Sequence, residues 1–215
     1  MRIQFSIFFL SLSLFVNAQL STIEKKIVQS VNDQYKQTIQ LLKESVDINS
    51  GTFNSKGVKA VGAIYANELR ALGFTLEWIS LPDSLQRAGH LVAYRKGTQG
   101  KKLFLIGHLD TVFEPDMPAN PFTRLNDSTA TGQGVNDMKG GDVLIIAALK
   151  AMHQQGLLDN TSITVYMTGD EENAGDPRSV SRADFIERAK QHDIALAFET
   201  ASGMGIAATA RRGAS

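Results

Sequence analysis

Eleven residues, Leu103 to Phe113 (LFLIGHLDTVF), constrain this chain more than any other stretch. Leu103 to Ile106 reads as a buried strand that breaks at Gly107 and at once presents His108 and Asp110. Residues i and i+2 of extended chain point to the same side, so the imidazole and the carboxylate leave the strand end together. A carboxylate so close can hold one ring nitrogen and leave the other for a metal. A lone H-x-D is more often a surface turn after a core strand, so the weight of the reading rests on what the other strand ends carry.

The rest of the chain supplies a scaffold of alternating elements. Ser21-Thr22-Ile23-Glu24 is a capping box, and Ile23, Ile27, Val31, Tyr35, Ile39 and Leu42 recur at helical spacing, which predicts one helix running to about Ser45. Asp47 to Ser55 is turn-forming, and a second amphipathic helix is expected from Gly57 to Leu72, stopped by Gly73. Strands are expected over Phe74–Leu81 and His90–Arg95. Glu114 to Gly134 shows no periodicity and leads into GQGVNDMKGG (residues 132–141) and a helix from Lys139 to Gln155. A buried strand over Ser162–Thr168 ends in Gly169-Asp170-Glu171-Glu172. After a helix around Ser181–Lys190, a further buried strand over Asp193–Phe198 ends in Glu199, and Gly205–Thr209 offers one more. Strands separated by helices imply an α/β fold, with a mostly parallel or mixed sheet and helices on both faces.

In such sheets ligands sit beyond the carboxyl ends of the strands. Three apolar strands here finish in metal-binding side chains: His108 and Asp110, then Glu171 and Glu172, then Glu199. A fourth acid, Asp137, lies in a glycine-rich turn at a helix start. Surface exposure explains any one of these; acids and a histidine at three successive strand ends point to a shared site.

Composition limits what that site can be. The 215 residues contain no cysteine, so metal ligands must come from His, Asp and Glu, and no disulfide can staple an exported form. Met1-Arg2 and the apolar run Ile3–Val16, followed by small residues at Val16-Asn17-Ala18, read as a signal peptide over residues 1–18, cut before Gln19. The expected address is therefore periplasmic or extracellular, with no membrane attachment after cleavage. Loss of Arg2 turns 22 basic residues into 21 against 22 acidic ones, a net charge of −1. That balance offers no basic field for nucleic acid.

One histidine and several carboxylates suit zinc or another divalent ion bound through nitrogen and oxygen. Glu171 and Glu172 are adjacent like charges, so at least one calls for a cation or a proton. A natural division is one ligating carboxylate and one general base.

GHLDTV, GVNDMKGG, GDEENAG and the AFET strand end, in this order and spacing, resemble the catalytic domain of the M20 family of di-zinc peptidases, its glutamate carboxypeptidase branch in particular. The resemblance runs from about Asp47 to Gly213. It implies that His108 and Glu199 hold one zinc, that Asp137 bridges two, and that Glu172 holds the second, with cobalt or manganese able to substitute. It further implies that Glu171 is the general base, that Asp110 steers His108, and that the Asp137–Met138 peptide is cis. Glu199 rather than Asp at the fourth ligand position is similar to the carboxypeptidase and deacylase members. The implied substrate is a small peptide or N-acyl amino acid, and a homodimer is compatible with the pattern.

The family also supplies a fifth ligand, a second histidine, and a lid domain from sequence beyond an ARRG-like segment. His90, His153 and His192 are not placed to replace that ligand and read as structural. Residues 19–215 are therefore expected to be the N-terminal portion of the catalytic domain, binding the second metal weakly and turning over little alone. The competing readings are an aminoacylase, dipeptidase or desuccinylase on the same scaffold, or an inactive metal-binding fragment.

Overall fold

The computed structural model describes residues 19–200 together with Gly203, Ala208 and Thr209. The expected signal peptide, the Arg211-Arg212-Gly213 segment and most of the strand expected over Gly205–Thr209 lie outside the described residues.

The capping box forms as read, with the Ser21 hydroxyl and main chain both meeting Glu24. The helix it starts does not run to Ser45. It ends at Asp33, giving α1 (Thr22–Asp33) and α2 (Tyr35–Val46). The break falls at Gln34, whose buried side chain donates to the Ala147 carbonyl at 2.8 Å. A contact 113 residues away thus overrides a continuous helical pattern. Helix α3 (Ser55–Ala71) follows, capped by the Asn54 side chain.

The strands are β1 (Thr75–Ile79), β2 (His90–Arg95) and β3 (Gln99–His108). Strand β3 continues through Gly107 instead of breaking there. Within the stretch read as aperiodic, β4 (Thr123–Arg124) pairs with β5 (Ala130–Thr131) as a short hairpin. Next come α4 (Lys139–Gln154), β6 (Thr161–Thr168), α5 (Arg178–Ser181), α6 (Ala183–Ala189) and β7 (Ile194–Ala197).

The main sheet has the order β1-β2-β6-β3-β7. β3 is parallel to both β6 and β7, whereas β2 is antiparallel to β6 and to β1, so the sheet is mixed. Alternation along each strand separates two cores. Leu91, Ala93, Leu105, Ile163, Val165 and Met167 face Val58, Val61, Tyr65 and Leu69 of α3 and Val143, Ile146 and Leu149 of α4. Val92, Phe104 and Tyr166 face the other way, against Phe185 and Ala189 of α6. Helices therefore cover both faces. β7, expected to be buried, is exposed at all four residues because it forms the edge of the sheet among the described elements. The parallel arrangement brings the carboxyl ends of β3, β6 and β7 to one rim, where the candidate site residues lie.

Candidate metal centre

His108 is the last residue of β3 and is 1% exposed. Its Nδ1 lies 2.9 Å from the main-chain carbonyl of Asp110. A carbonyl only accepts, so Nδ1 carries a hydrogen, and Nε2 is the nitrogen left for a metal, protonated toward Asp137 in the metal-free chain. The sequence reading gave this task to the Asp110 carboxylate, which stands 3.5 Å away. The chain turns tightly enough after Leu109 that the carbonyl reaches the ring first, and the carboxylate contributes charge from behind it. His108 Nε2 points at Asp137 Oδ1, 3.1 Å away, and at Glu199 Oε1, 3.8 Å away. One ligand atom from each of these three residues lies within 4.8 Å of the others.

Asp137 sits in the turn before α4, and its peptide bond to Met138 is cis, as the resemblance implied. Glu199 follows β7 directly. Glu171 and Glu172 follow β6, and their main-chain N–H groups donate to the two Asp110 carboxylate oxygens at 2.9 and 3.1 Å. Glu172 stands outside the three-residue cluster. Burial, reinforced by the Asp137 charge, nevertheless pushes its carboxyl up to about 7. The remaining histidines are engaged elsewhere. His90 bonds Ser181 and Gly169, His192 bonds Arg188 and Thr164, and His153 lies in the last turn of α4.

The electrostatics of the rim call for a cation. Burial opposes charge on His108, but Asp110, Asp142 and Glu199 outweigh it and push the imidazole up to about 10. Burial also opposes ionisation of Asp110, yet hydrogen bonds from His108, Thr52 and the Glu171 amide hold its carboxyl below the ordinary range. Asp142 is fully buried, neither of its oxygens has a hydrogen-bond partner among the described residues, and burial drives its carboxyl well up. It packs on Gly107, where a Cβ would fall 2.0 Å from Asp142 Oδ1, so only glycine fits directly before His108. Lys139 Nζ donates to the Ser45 and Ile48 carbonyls, and burial lowers it to about 7. An imidazole Nε2 converging with two carboxylates, in a surround that favours positive charge, fits a zinc-like divalent ion, which would take the place of the Nε2 proton.

Residues 104–208 match the pattern of Peptidase family M20/M25/M40, a span that holds all six predicted site residues. The chain belongs to this family. It is 34% identical over 177 residues to carboxypeptidase G2 of Pseudomonas sp. (strain RS-16), covering 82% of this chain and 41% of that protein. It is also 34% identical over 116 residues to a succinyl-diaminopimelate desuccinylase of Gluconacetobacter diazotrophicus, covering 53% of this chain and 30% of that protein. Its fold superposes on human carnosine dipeptidase 1 with a TM-score of 0.67 at 22% identity, over 80% of this chain and 40% of the other. The chain thus spans less than half the length of these proteins.

Two features of this M20 chain escaped the sequence reading. Asp170, fully buried, accepts from the Gly175 amide at 2.8 Å and pairs with Arg182, whose other guanidinium nitrogen donates to the Asp170 carbonyl at 2.9 Å. This pair closes the loop carrying Glu171 and Glu172; the helix expected around Ser181–Lys190 is α6, preceded by the short α5. The second is Thr52, 1% exposed, whose hydroxyl donates to Asp110 Oδ2 at 2.6 Å. The GDEE run hinted at the first. Nothing in local pattern marked the second, because its partner lies 58 residues away.

Proposed function

We propose that this chain forms the ligand-bearing part of a metal-dependent amidohydrolase that releases a C-terminal or acylated amino acid, working with two zinc ions. The observation that carries the reading is the convergence of His108 Nε2, Asp137 and Glu199 within 4.8 Å at the end of a parallel strand set. His108, Asp137 and Glu199 would hold one ion, and Asp137 with Glu172 the other. Bound there, divalent cations supply Lewis acidity, bringing the pKa of water toward neutrality and polarising an amide carbonyl.

The proton work falls to Glu171. Its carboxylate takes a proton from water as the new C–O bond forms, then delivers it to the amine nitrogen as the C–N bond breaks. The products are a carboxylic acid and a free amine. The Asp110 carboxylate contributes by fixing the Glu171 main chain at 2.9 Å while its own carbonyl fixes the His108 ring.

Identity to carboxypeptidase G2 over most of this chain supports a carboxypeptidase reading. The desuccinylase relative supports removal of an acyl group as the second. Release of a C-terminal amino acid from peptide-like amides, against release of succinate from N-succinyl amino acids, separates them. The N-terminal apolar run supports export of the protein, which detection of the mature chain outside the cytoplasm would test.

The direct test of the chemistry is Glu171→Gln in the protein that carries this chain. It is expected to keep its zinc and to lose at least ~100-fold in hydrolytic rate, the usual scale of a general base. An undiminished rate overturns the assignment of the base.

A further inference from the structure

Glu171 lies in a loop whose own side chains are largely exposed, so its placement has to come from the main chain. The amides of Glu171 and Glu172 are held by one carboxylate. Asp110 Oδ1 accepts from the Glu171 amide at 2.9 Å and faces His108 Nδ1 at 3.5 Å, and Oδ2 accepts from the Glu172 amide at 3.1 Å. Both amides belong to a single loop, so on their own they fix the carboxylate only relative to that loop. A further tie comes from elsewhere. The Thr52 hydroxyl donates to Oδ2 at 2.6 Å, the shortest contact the carboxylate makes.

Thr52 is itself rigidly delivered. Its segment lies alongside the chain after β3: the Thr111 amide donates to the Ser50 carbonyl at 2.9 Å, and Gly51 bridges to Thr111. The two segments approach so closely that a Cβ on Gly51 would fall 2.6 Å from the Phe113 carbonyl oxygen, which only glycine allows. On the far side, the Phe53 amide donates to Glu114 at 3.1 Å and Asn54 caps α3. The hydroxyl is thus set by a frame anchored on α3 and on the chain leaving β3.

We infer that Thr52 is a positioning residue: through the Asp110 carboxylate it locks the His108 strand end and the Glu171–Glu172 loop into one unit. A residue that orients a metal-bound histidine, as Asp110 does through its carbonyl, typically matters by ~10–100-fold in metal affinity or activity, and Thr52 fixes Asp110. The part of this inference that concerns metal rests on the proposed function; the part that concerns the loop does not.

The test uses the full chain with Thr52→Val, which keeps shape and removes the donor, and Thr52→Ser, which restores it. In the metal-free protein, amide hydrogen exchange at Glu171 and Glu172 is expected to be ~10-fold faster in the valine variant and to return in the serine variant, with β3 and β6 amides unchanged. In a zinc titration, the valine variant is expected to bind ~10-fold more weakly and the serine variant within about twofold of the parent. Unchanged exchange at both amides in Thr52→Val overturns the inference, as does faster exchange spread uniformly over the sheet, which would make Thr52 a residue of general stability. If the parent binds no zinc while the exchange result holds, the proposed function fails and the role of Thr52 in the loop stands. If the parent binds zinc and Thr52→Val alters neither readout, the inference fails and the proposed function stands.

Discussion

His90 and His108 are both almost fully buried, both sit at ends of strands in the same sheet, and each has a carboxylate within 4 Å. Their electrostatic fates are opposite. His90 has both ring nitrogens satisfied by main chain, accepting from the Gly169 amide and donating to the Ser181 carbonyl. Burial then dominates and lowers its pKa. His108 has one nitrogen satisfied by main chain and the other open to Asp137 and Glu199, and the surrounding acids push it up to about 10. The difference lies in what neutralises the nearby aspartate. Asp170, beside His90, is already paired with Arg182, whereas Asp110 and Asp137, beside His108, meet the imidazole itself. Burial of a histidine beside an acid does not by itself make a cation site. What decides is whether the acid turns to a second cationic group, as Asp170 does to Arg182, or to the imidazole itself.

The contrast can be broken in three ways, in falling order of effect. Truncating each histidine is the most severe. His108→Ala is expected to weaken zinc binding by more than ~100-fold, beyond what loss of a mere supporting contact costs. His90→Ala is expected to do the reverse, leaving the zinc ligands in place and costing ~2–4 kcal/mol in denaturant unfolding, since it empties a buried site and orphans two main-chain groups. Similar zinc affinities in the two variants would remove the distinction.

Removing the compensating cation should make the two sites alike. Arg182→Met leaves Asp170 buried without its partner and is expected to cost ~3–5 kcal/mol of stability, reduced somewhat by the partial exposure of the guanidinium. His90 is then the nearest group able to neutralise Asp170. Its imidazole pKa, followed by NMR, should rise above that of the parent; a fall or no change would show that Arg182 is not what keeps His90 neutral.

The gentlest probe is pH. His90 has a folded-state pKa below its unfolded value, so the unfolded chain binds the extra proton, and stability from this group is lost as pH falls through about 6.5. His108 in the metal-free chain has a folded-state pKa above its unfolded value, so its contribution is full below about 6.5 and is lost as pH rises toward about 10. Comparing the stability of His90→Gln and His108→Gln with the parent across pH 5–10 should therefore give difference curves of opposite slope. Slopes of the same sign would contradict the opposed assignments.

What could be read from the chain follows the same divide between local and distant causes. Strand β3, the helix caps and the ordering of acids at three strand ends are written in neighbouring residues: Leu103–Ile106 as a continuous apolar run, Ser21 with Glu24, Gly107 before His108. The features missed depend on partners remote in sequence. The helix break at Gln34 is decided by Ala147, the closure of the Glu171–Glu172 loop by Arg182 on Asp170, and the seat of Asp110 by Thr52. The exposure of β7 comes from its place at the sheet edge, which an apolar run such as Ile194–Ala197 does not reveal. Even at His108 the partner residue was legible and the partner atom was not, because carbonyl and carboxylate of the same Asp110 compete for one ring nitrogen over a difference of 0.6 Å, 2.9 against 3.5 Å.

The most direct test of the account is the coordination shell of zinc in the loaded protein, measured by X-ray absorption or crystallography. The account predicts the His108 Nε2 nitrogen at ~2.0–2.1 Å with carboxylate oxygens of Asp137 and Glu199 at ~2.0–2.2 Å. A bound zinc whose shell contains no histidine nitrogen, or one held away from Asp137 and Glu199, would contradict it.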